Sequence, residues 1–282
     1  MNNKPLIEVK DLYVEYKSGG QTIHAVNGVS FSIGKGQTLG LVGETGAGKT
    51  TVAKTILRIL PDRAAHVTGG EILWNDGDEK DVNLQTLPEA DMQKVRGDKI
   101  SMIFQDPMTA LNPVMTIGKQ VAGVIRIHNN IDKKEAEERA MQIFEKVGIT
   151  RDRFNVYPHQ CSGGMRQRVA VARAPALASE ILLMDEPFGA LDALTRESVQ
   201  DLTRKIWWDT GKTIFFITHD VEEALLLASR VIVLSRHPGR VIEDIPVNFS
   251  RQIVEENAAD IKFTPEFYKY REQLLKLLSM NN

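Results

Sequence analysis

The chain has 282 residues, enough for one large domain or two small ones. Its apolar share of 42% and charged share of 26% are those of a chain that builds a core, which excludes global disorder. Lys and Arg total 35 against 37 Asp and Glu, and a net charge of -2 lacks the basic excess of a dedicated nucleic-acid binder.

In chain order, Ile7 and Val9 alternate with charged neighbours, as do Tyr13-Val14 and Tyr16, and this period of two predicts strand. Ser18-Gly19-Gly20 predicts a turn and a hairpin into Thr22–Val26. Val29, Phe31 and Ile33 carry the alternation on to Gly34-Lys35-Gly36. Thr38–Val42 is a short apolar strand, followed by a Gly-rich loop and a helix expected to stop at Pro61. Residues 75–98 are polar and read as loops with a short helix, and Lys99–Phe104 reads as strand. Thr116–His128 and Asp132–Val147 read as helices. In the second, Asp132 and Glu135 have capping-box spacing, so each side chain can satisfy an orphan backbone N–H. Its apolar face is Ala136, Ala140, Ile143, Phe144 and Val147, and Gly148 stands where a C-terminal cap belongs.

A further helix is expected from Ser162 to about Ala178. Pro175 lies inside it, removes the bond to the Val171 carbonyl and costs about 3 kcal/mol in a regular helix, so a kink or an early end is expected. Then come the strand Ile181–Met184, a helix over about 195–210, the strand Thr213–Thr218, a helix from Asp220, and the strand Arg230–Ser235. Continuous apolar strands between helices predict a parallel sheet covered on both faces. Thr264–Met280 reads as an amphipathic helix, with Phe267, Leu274, Leu275 and Leu278 near one face, docked on the body. No uncharged apolar run is long enough to span a bilayer. Met1-Asn2-Asn3-Lys4-Pro5 is not followed by the apolar stretch of a secretory signal. The single Cys161 excludes an internal disulfide or a cysteine cage. The expectation is a cytosolic protein whose membrane role comes through a partner.

Gly43-Glu44-Thr45-Gly46-Ala47-Gly48-Lys49-Thr50 matches the phosphate-binding pattern G-x-x-x-x-G-K-[ST], between an expected strand and an expected helix. Glycines let the backbone curl its N–H groups inward onto phosphate oxygens, and the helix N-terminus adds positive charge there. Lys49 would reach the β- and γ-phosphates and Thr50 would hold Mg²⁺. By chance alone the pattern arises in about one chain of this length in a hundred. Ile181–Glu186 completes such a site: a buried strand ending in Asp185 suits a carboxylate that orients Mg²⁺. The adjacent Glu186 suits a general base for water. Gln105 follows the strand ending at Phe104, where a neutral amide would ligate Mg²⁺ and sense the γ-phosphate. His219 follows Thr218 at the carboxyl edge of the sheet, where ligands bind in open α/β sheets. Cys161-Ser162-Gly163-Gly164-Met165-Arg166-Gln167 opens a helix with a second anion-binding turn, which suggests one phosphate gripped from two sides by two subunits.

With these segments together, the sequence resembles the ATP-binding cassette (ABC) ATPases of membrane transporters over residues 6 to about 240. In the family's order stand Tyr16 as adenine-stacking aromatic, Gly43–Thr50 as Walker A, and Gln105 as the Q-loop. Cys161–Gln167 stands at the signature, Ile181–Glu186 at Walker B, Gly189-Ala190-Leu191-Asp192 at the D-loop, and His219 at the switch histidine. The resemblance implies an α/β P-loop NTPase with a RecA-like core, an N-terminal antiparallel β subdomain and an inserted helical subdomain at about 106–178. A tail over 241–282 would follow. It implies ATP sandwiched between Walker A of one subunit and Ser162-Gly163-Gly164 of a second ABC ATPase, in a homo- or heterodimer. Nucleotide contacts would come from Tyr16, from Gly43 through Thr51 and, across the dimer, from Ser162, Gly163, Gly164 and Asp192. Mg²⁺ would be held by Thr50, Gln105 and Asp185. Catalysis would rest on Glu186, His219, Gln105 and Lys49. Cys161 and Met165 depart from the usual signature residues but keep its Ser-Gly-Gly backbone.

Residues 5–160 resemble the oligopeptide, dipeptide and nickel importer ATPases, through Gly43–Thr51, Phe104–Pro113 and Tyr157-Pro158-His159-Gln160. Residues 169–282 resemble the nitrate, sulfonate and taurine importer ATPases, through Asp185–Arg196 and Ser235–Arg240, with a join near 161–170. The function this implies is an importer ATPase for peptides or nickel, with nitrate, sulfonate or taurine as the alternative. It would sit on the cytoplasmic face of the membrane, bound to separate permease subunits served by a substrate-binding protein. A different class, soluble ABC proteins acting on nucleic acid or ribosomes, usually carries two cassettes or a long coiled-coil insertion, and this chain shows neither. A P-loop small-molecule kinase would leave the signature and His219 idle.

Overall fold

The computed structural model describes residues 4–75, 77, 81–105, 111–176, 179–189, 191–258 and 260–280. The chain divides into two compact units, one formed by Met1–Gln93 with Thr213–Asn282 and the other by Lys94–Lys212.

The first unit opens with the hairpin β1 (Ile7–Ser18) and β2 (Gln21–Ile33), in register Val9 to Phe31 and Val14 to Val26. With β4 (Ala65–Trp74) and β5 (Val82–Asn83) they form an antiparallel sheet in the order β2-β1-β4-β5. The alternation of Ile7, Val9, Leu12 and Val14 puts these side chains in the core. In the same unit β3 (Thr38–Val42) lies between β8 (Thr213–Thr218) and β9 (Arg230–Leu234), parallel to both. Every residue of β3 and β8 is buried, so these strands show no alternation, as expected where helices cover both faces. Antiparallel to β9 runs β10 (Val241–Pro246).

Helix α1 (Lys49–Ile56) follows β3 and ends well before Pro61, against expectation. Arg58 takes the left-handed conformation (φ 52°). Ile59 N bonds Lys54 O at 3.0 Å and Arg58 N bonds Thr55 O at 3.0 Å. This is a Schellman stop with arginine where glycine is usual. The Arg58 guanidinium is held by the Leu84 and Leu87 carbonyls, which anchors the unfavoured backbone. The sequence signals also left out β4, β10 and the helix Phe249–Glu255.

The second unit starts within α2 (Glu89–Asp98) and contains β6 (Ile100–Ile103) parallel to β7 (Ile181–Asp185). Between them lie α3 (Ile117–Asn129), α4 (Lys133–Lys146), two single-turn helices and α5 (Gly163–Ala176). Ile117, Val121, Phe144, Phe154 and Val169 form their core. Asp132 caps α4 by accepting from Glu135 N at 2.9 Å. The Glu135 carboxylate is taken by Arg139 at 2.7 Å, so the capping box forms in only one direction. Gly148 caps the end with φ 70°. Helix α5 is described as far as Ala176 and so includes Pro175, whose missing N–H removes the bond to the Val171 carbonyl. Residues 177–178 of the expected helix lie outside the described residues. α6 (Ala193–Thr210) completes the unit.

The first unit closes with α7 (Val221–Leu227), α8 (Phe249–Glu255) and α9 (Pro265–Ser279). Thr264 caps α9, and the Phe249 ring lies 5.2 Å from Phe267 and 5.4 Å from Tyr270. Arg271 Nε bonds Glu222 on α7 at 2.8 Å. Phe267 and Leu274, two turns apart, are buried, whereas Leu275 is 40% exposed. One residue is a rotation of about 100° on a helix, which turns Leu275 off the docked face expected of it. Among the described residues no helix is long and apolar enough to cross a membrane.

Candidate functional site

In the first unit the loop Gly43–Gly48 joins the carboxyl end of β3 to α1. The Lys49 side chain is buried, and its Nζ donates to the Gly43 carbonyl at 2.7 Å and the Glu44 carbonyl at 2.9 Å. The amine is therefore held inside the curl of its own loop. The tip, Thr45 and Gly46, is exposed, and Ala47 is buried beneath it. Thr50 lies in the first turn of α1. The Tyr16 hydroxyl lies 3.3 Å from Thr51 Oγ1, tying the expected stacking ring to that same turn.

The loop is braced from behind by segments whose role the sequence did not announce. A Cβ on Gly48 would lie 2.4 Å from Ala25 O, and its φ is +84°, so a side chain is excluded twice. A Cβ on Gly239 would lie 2.4 Å from Ala47 O and 2.9 Å from Ala25 O. Gly239 N donates to Ala25 O at 3.3 Å and Gly239 O accepts from Asn27 N at 2.9 Å. Strand β2, the P-loop and the loop after β9 thus meet backbone to backbone, and Arg236 adds a contact to Glu44 at 3.4 Å.

Val42 pairs with Thr218 across β3 and β8, so Gly43 and His219 leave adjacent parallel strands at the same level of the carboxyl edge. Asp220 begins the next helix, accepting from Glu222 N at 2.8 Å and Glu223 N at 3.2 Å. The Thr218 hydroxyl donates to Glu223 at 2.6 Å and accepts from Asp220 N at 3.0 Å, which fixes the backbone on either side of His219.

In the second unit β6 and β7 run parallel and bring Gln105 to Glu186: the amide Nε2 donates to Glu186 Oε2 at 3.2 Å. Asp185, the last residue of β7, is buried. Glu186 takes φ 44°, a left-handed conformation that costs a non-glycine residue about 1–2 kcal/mol. A carboxylate carried on a strained turn at a strand end is a common mark of a functional site. Gln167 is buried and holds the Pro187 carbonyl, joining α5 to the segment after β7.

Ser162 caps α5, accepting from Met165 N at 3.2 Å, and Ser162 and Gly163 are exposed. Cys161 is buried with its thiol 3.4 Å from Tyr157 O, and burial pushes that thiol above its ordinary pKa. Asp192 caps α6, accepting from Thr195 N at 3.0 Å. The Thr195 hydroxyl and amide hold its carboxyl below the ordinary range. Ala190 of the expected D-loop lies outside the described residues. A cavity of about 480 Å³ opens beside the turn, lined by Arg153, Gln160, Ser162, Gly164, Arg168 and Thr195 among others. Among the described residues no cluster of His, Cys, Asp and Glu is arranged to cage a metal alone.

The family model described as ABC transporter matches residues 26–189, from β2 through the P-loop and the signature to the segment after β7. The chain belongs to the ABC transporter family. It is 41% identical to the oligopeptide transport ATP-binding protein OppD of Bacillus subtilis over 84% of this chain and 65% of that one. It is 38% identical to a probable peptide ABC transporter ATP-binding protein of Sinorhizobium fredii, over 96% of this chain and 80% of that one. The dipeptide transport ATP-binding protein DppD of Bacillus subtilis is 39% identical over 84% of this chain and 70% of that one. The Sinorhizobium alignment carries the likeness to peptide-transport relatives through the C-terminal half as well. A dimeric post-hydrolysis structure of the ABC cassette MJ0796, bound to ADP and Pi, superposes with a TM-score of 0.74 at 28% identity, over 86% of this chain and 98% of that one. This ABC chain therefore has the mixed α/β P-loop NTPase fold its sequence predicts.

Proposed function

We propose that the chain is the ATP-hydrolysing subunit of an importer that takes up peptides through separate membrane subunits. The observation that carries this is the P-loop: an apolar parallel strand, a glycine-braced turn and a buried lysine set at the start of α1, in a chain whose relatives are named for peptide transport. Lys49 and the loop amides stabilise charge on the β- and γ-phosphates as it shifts in the transition state. Tyr16 stacks on the base. Glu186 takes a proton from the attacking water, Gln105 orients that carboxylate, and His219 contacts the γ-phosphate. Mg²⁺ fits the donor chemistry of Thr50, Gln105 and Asp185, which offer hydroxyl, amide and carboxylate oxygens rather than thiolates or imidazoles. When bound, the ion neutralises phosphate charge.

The reading extends to assembly. Two cassettes face each other so that Ser162-Gly163-Gly164 and Asp192 of one complete the nucleotide site of the other, as the dimeric relatives support. The helical subdomain, expected at about 106–178, meets a permease helix on the cytoplasmic face of the membrane, and the tail expected at 241–282 follows.

The test is Glu186→Gln with Mg-ATP, followed by light scattering on a sizing column. Losing the base traps ATP, so the mass doubles and falls back with ADP. A variant that binds ATP and stays monomeric overturns the homodimer. Reconstitution with the neighbouring permease subunits then reads the cargo: peptide-stimulated phosphate release supports the proposal, and stimulation only by nickel, nitrate or a sulfonate overturns it.

A further inference from the structure

Thr195 sits in the first turn of α6 and faces two ways. Its backbone amide donates to the carboxylate of Asp192, the residue that caps the helix, at 3.0 Å. Its methyl faces the signature turn: a Cβ built on Gly164 would lie 2.4 Å from Thr195 Cγ2 and 3.4 Å from its Oγ1. Gly164 belongs to the first turn of α5, and its φ is not in the left-handed region. The backbone there would accept any residue. Space alone requires glycine, and the atom that fills the space is the Thr195 methyl. Gly164 and Thr195 also line the same cavity, beside Ser162.

A methyl seated on a bare Cα is a stiff contact, because close-packed atoms leave no smaller separation to relax into. We propose that Thr195 is a positioning residue for ATP hydrolysis: its methyl fixes the Ser162–Gly164 turn while its backbone amide fixes Asp192, so that both meet the nucleotide as one edge. Neither end of this link touches the reacting atoms through Thr195 itself. The inference rests on the reading of Ser162–Gly164 as the turn that grips phosphate in a facing subunit.

Threonine can be divided. Thr195→Ser keeps the hydroxyl and vacates the methyl, whereas Thr195→Val keeps a methyl and drops the hydroxyl. Steady-state phosphate release is measured for the full chain, with equilibrium binding of a fluorescent ATP analogue as the reading of its own P-loop. Gly164→Ala alone lowers kcat by about thirtyfold with analogue binding unchanged, since the new Cβ displaces the turn. Adding Thr195→Ser restores kcat about tenfold, and adding Thr195→Val restores nothing. Rescue by both or by neither overturns the proposal while leaving the signature reading standing. A Gly164→Ala single variant with the full wild-type kcat instead overturns the signature reading itself. Should Gly164→Ala fail to fold, Thr195→Ser alone decides: kcat falls about threefold at unchanged KM for ATP, and an unchanged kcat overturns the proposal.

Discussion

The chain contains two glycine-rich turns that open helices, and they are built in opposite ways. The P-loop is enclosed: Lys49 and Ala47 are buried, Gly48 is pressed against the Ala25 carbonyl, and Gly239 closes the back. The signature turn is open: Ser162 and Gly163 are exposed, and its support comes from behind, through Gln167 to the Pro187 carbonyl and Thr195 against Gly164. An enclosed turn is fixed by its own unit and can bind phosphate on its own account. An open turn fixed only from behind is half a site, and under the proposed function the other half is a facing cassette. Damage to the first should therefore show in nucleotide affinity, and damage to the second in turnover.

The largest expected effect is at Lys49. Lys49→Ala removes the buried amine and lowers affinity for a fluorescent ATP analogue by about 100-fold, the loss of charge-assisted bonds worth about 2.8 kcal/mol. An analogue titration with near wild-type affinity would break the contrast at its strongest point. Next is Gly239→Ala, a substitution outside the motifs assigned to the nucleotide. Its Cβ meets the carbonyls of Ala47 and Ala25, backbone atoms that cannot swing away, so KM for ATP rises about tenfold while kcat changes little. A kcat loss at constant KM would show that the brace serves something other than the P-loop.

Ser162→Ala tests the open turn. It removes the cap on Met165 N, costs about 1 kcal/mol of stability in urea titration, and lowers kcat with unchanged analogue binding. A loss of analogue binding would contradict the division between the two turns. The smallest effect on ATP handling is at Lys212, just past α6, whose pKa burial pushes down to about 8 from the ordinary 10.5. The folded chain gives up a proton there that the unfolded chain keeps, so stability rises between about pH 8 and 10.5. Lys212→Met is more stable at neutral pH and lacks that rise, as thermal melts across the range would show.

The motif residues were legible in sequence because their types and order carry the chemistry: glycines that curl, a lysine at the helix start, acids at the end of an apolar strand. The strands β3 and β8 were legible as unbroken apolar runs, and the caps Asp132 and Asp220 as polar residues before helices. What sequence hid has a common cause. In β4 only Ala65, Ile72 and Trp74 are buried, and in β10 only Ile245, so neither strand alternates strongly enough to register. The stop of α1 is made by Arg58, a residue that does not advertise the left-handed conformation. Gly239 and Thr195 act through distant backbone, at Ala47 and Gly164, and no local pattern records a contact between segments far apart in the chain.

Cys161 has a practical consequence for watching this molecule work. It is the one thiol in the chain, it is buried, and its raised pKa keeps it in the protonated form that reacts slowly with alkylating reagents. The native protein is therefore close to a silent background for site-specific labelling. A cysteine placed at Leu194, which is 82% exposed beside Asp192, would take a maleimide dye first and leave the signature untouched. The open edge would then carry a light of its own, dimming or shifting whenever another surface comes to lie against it.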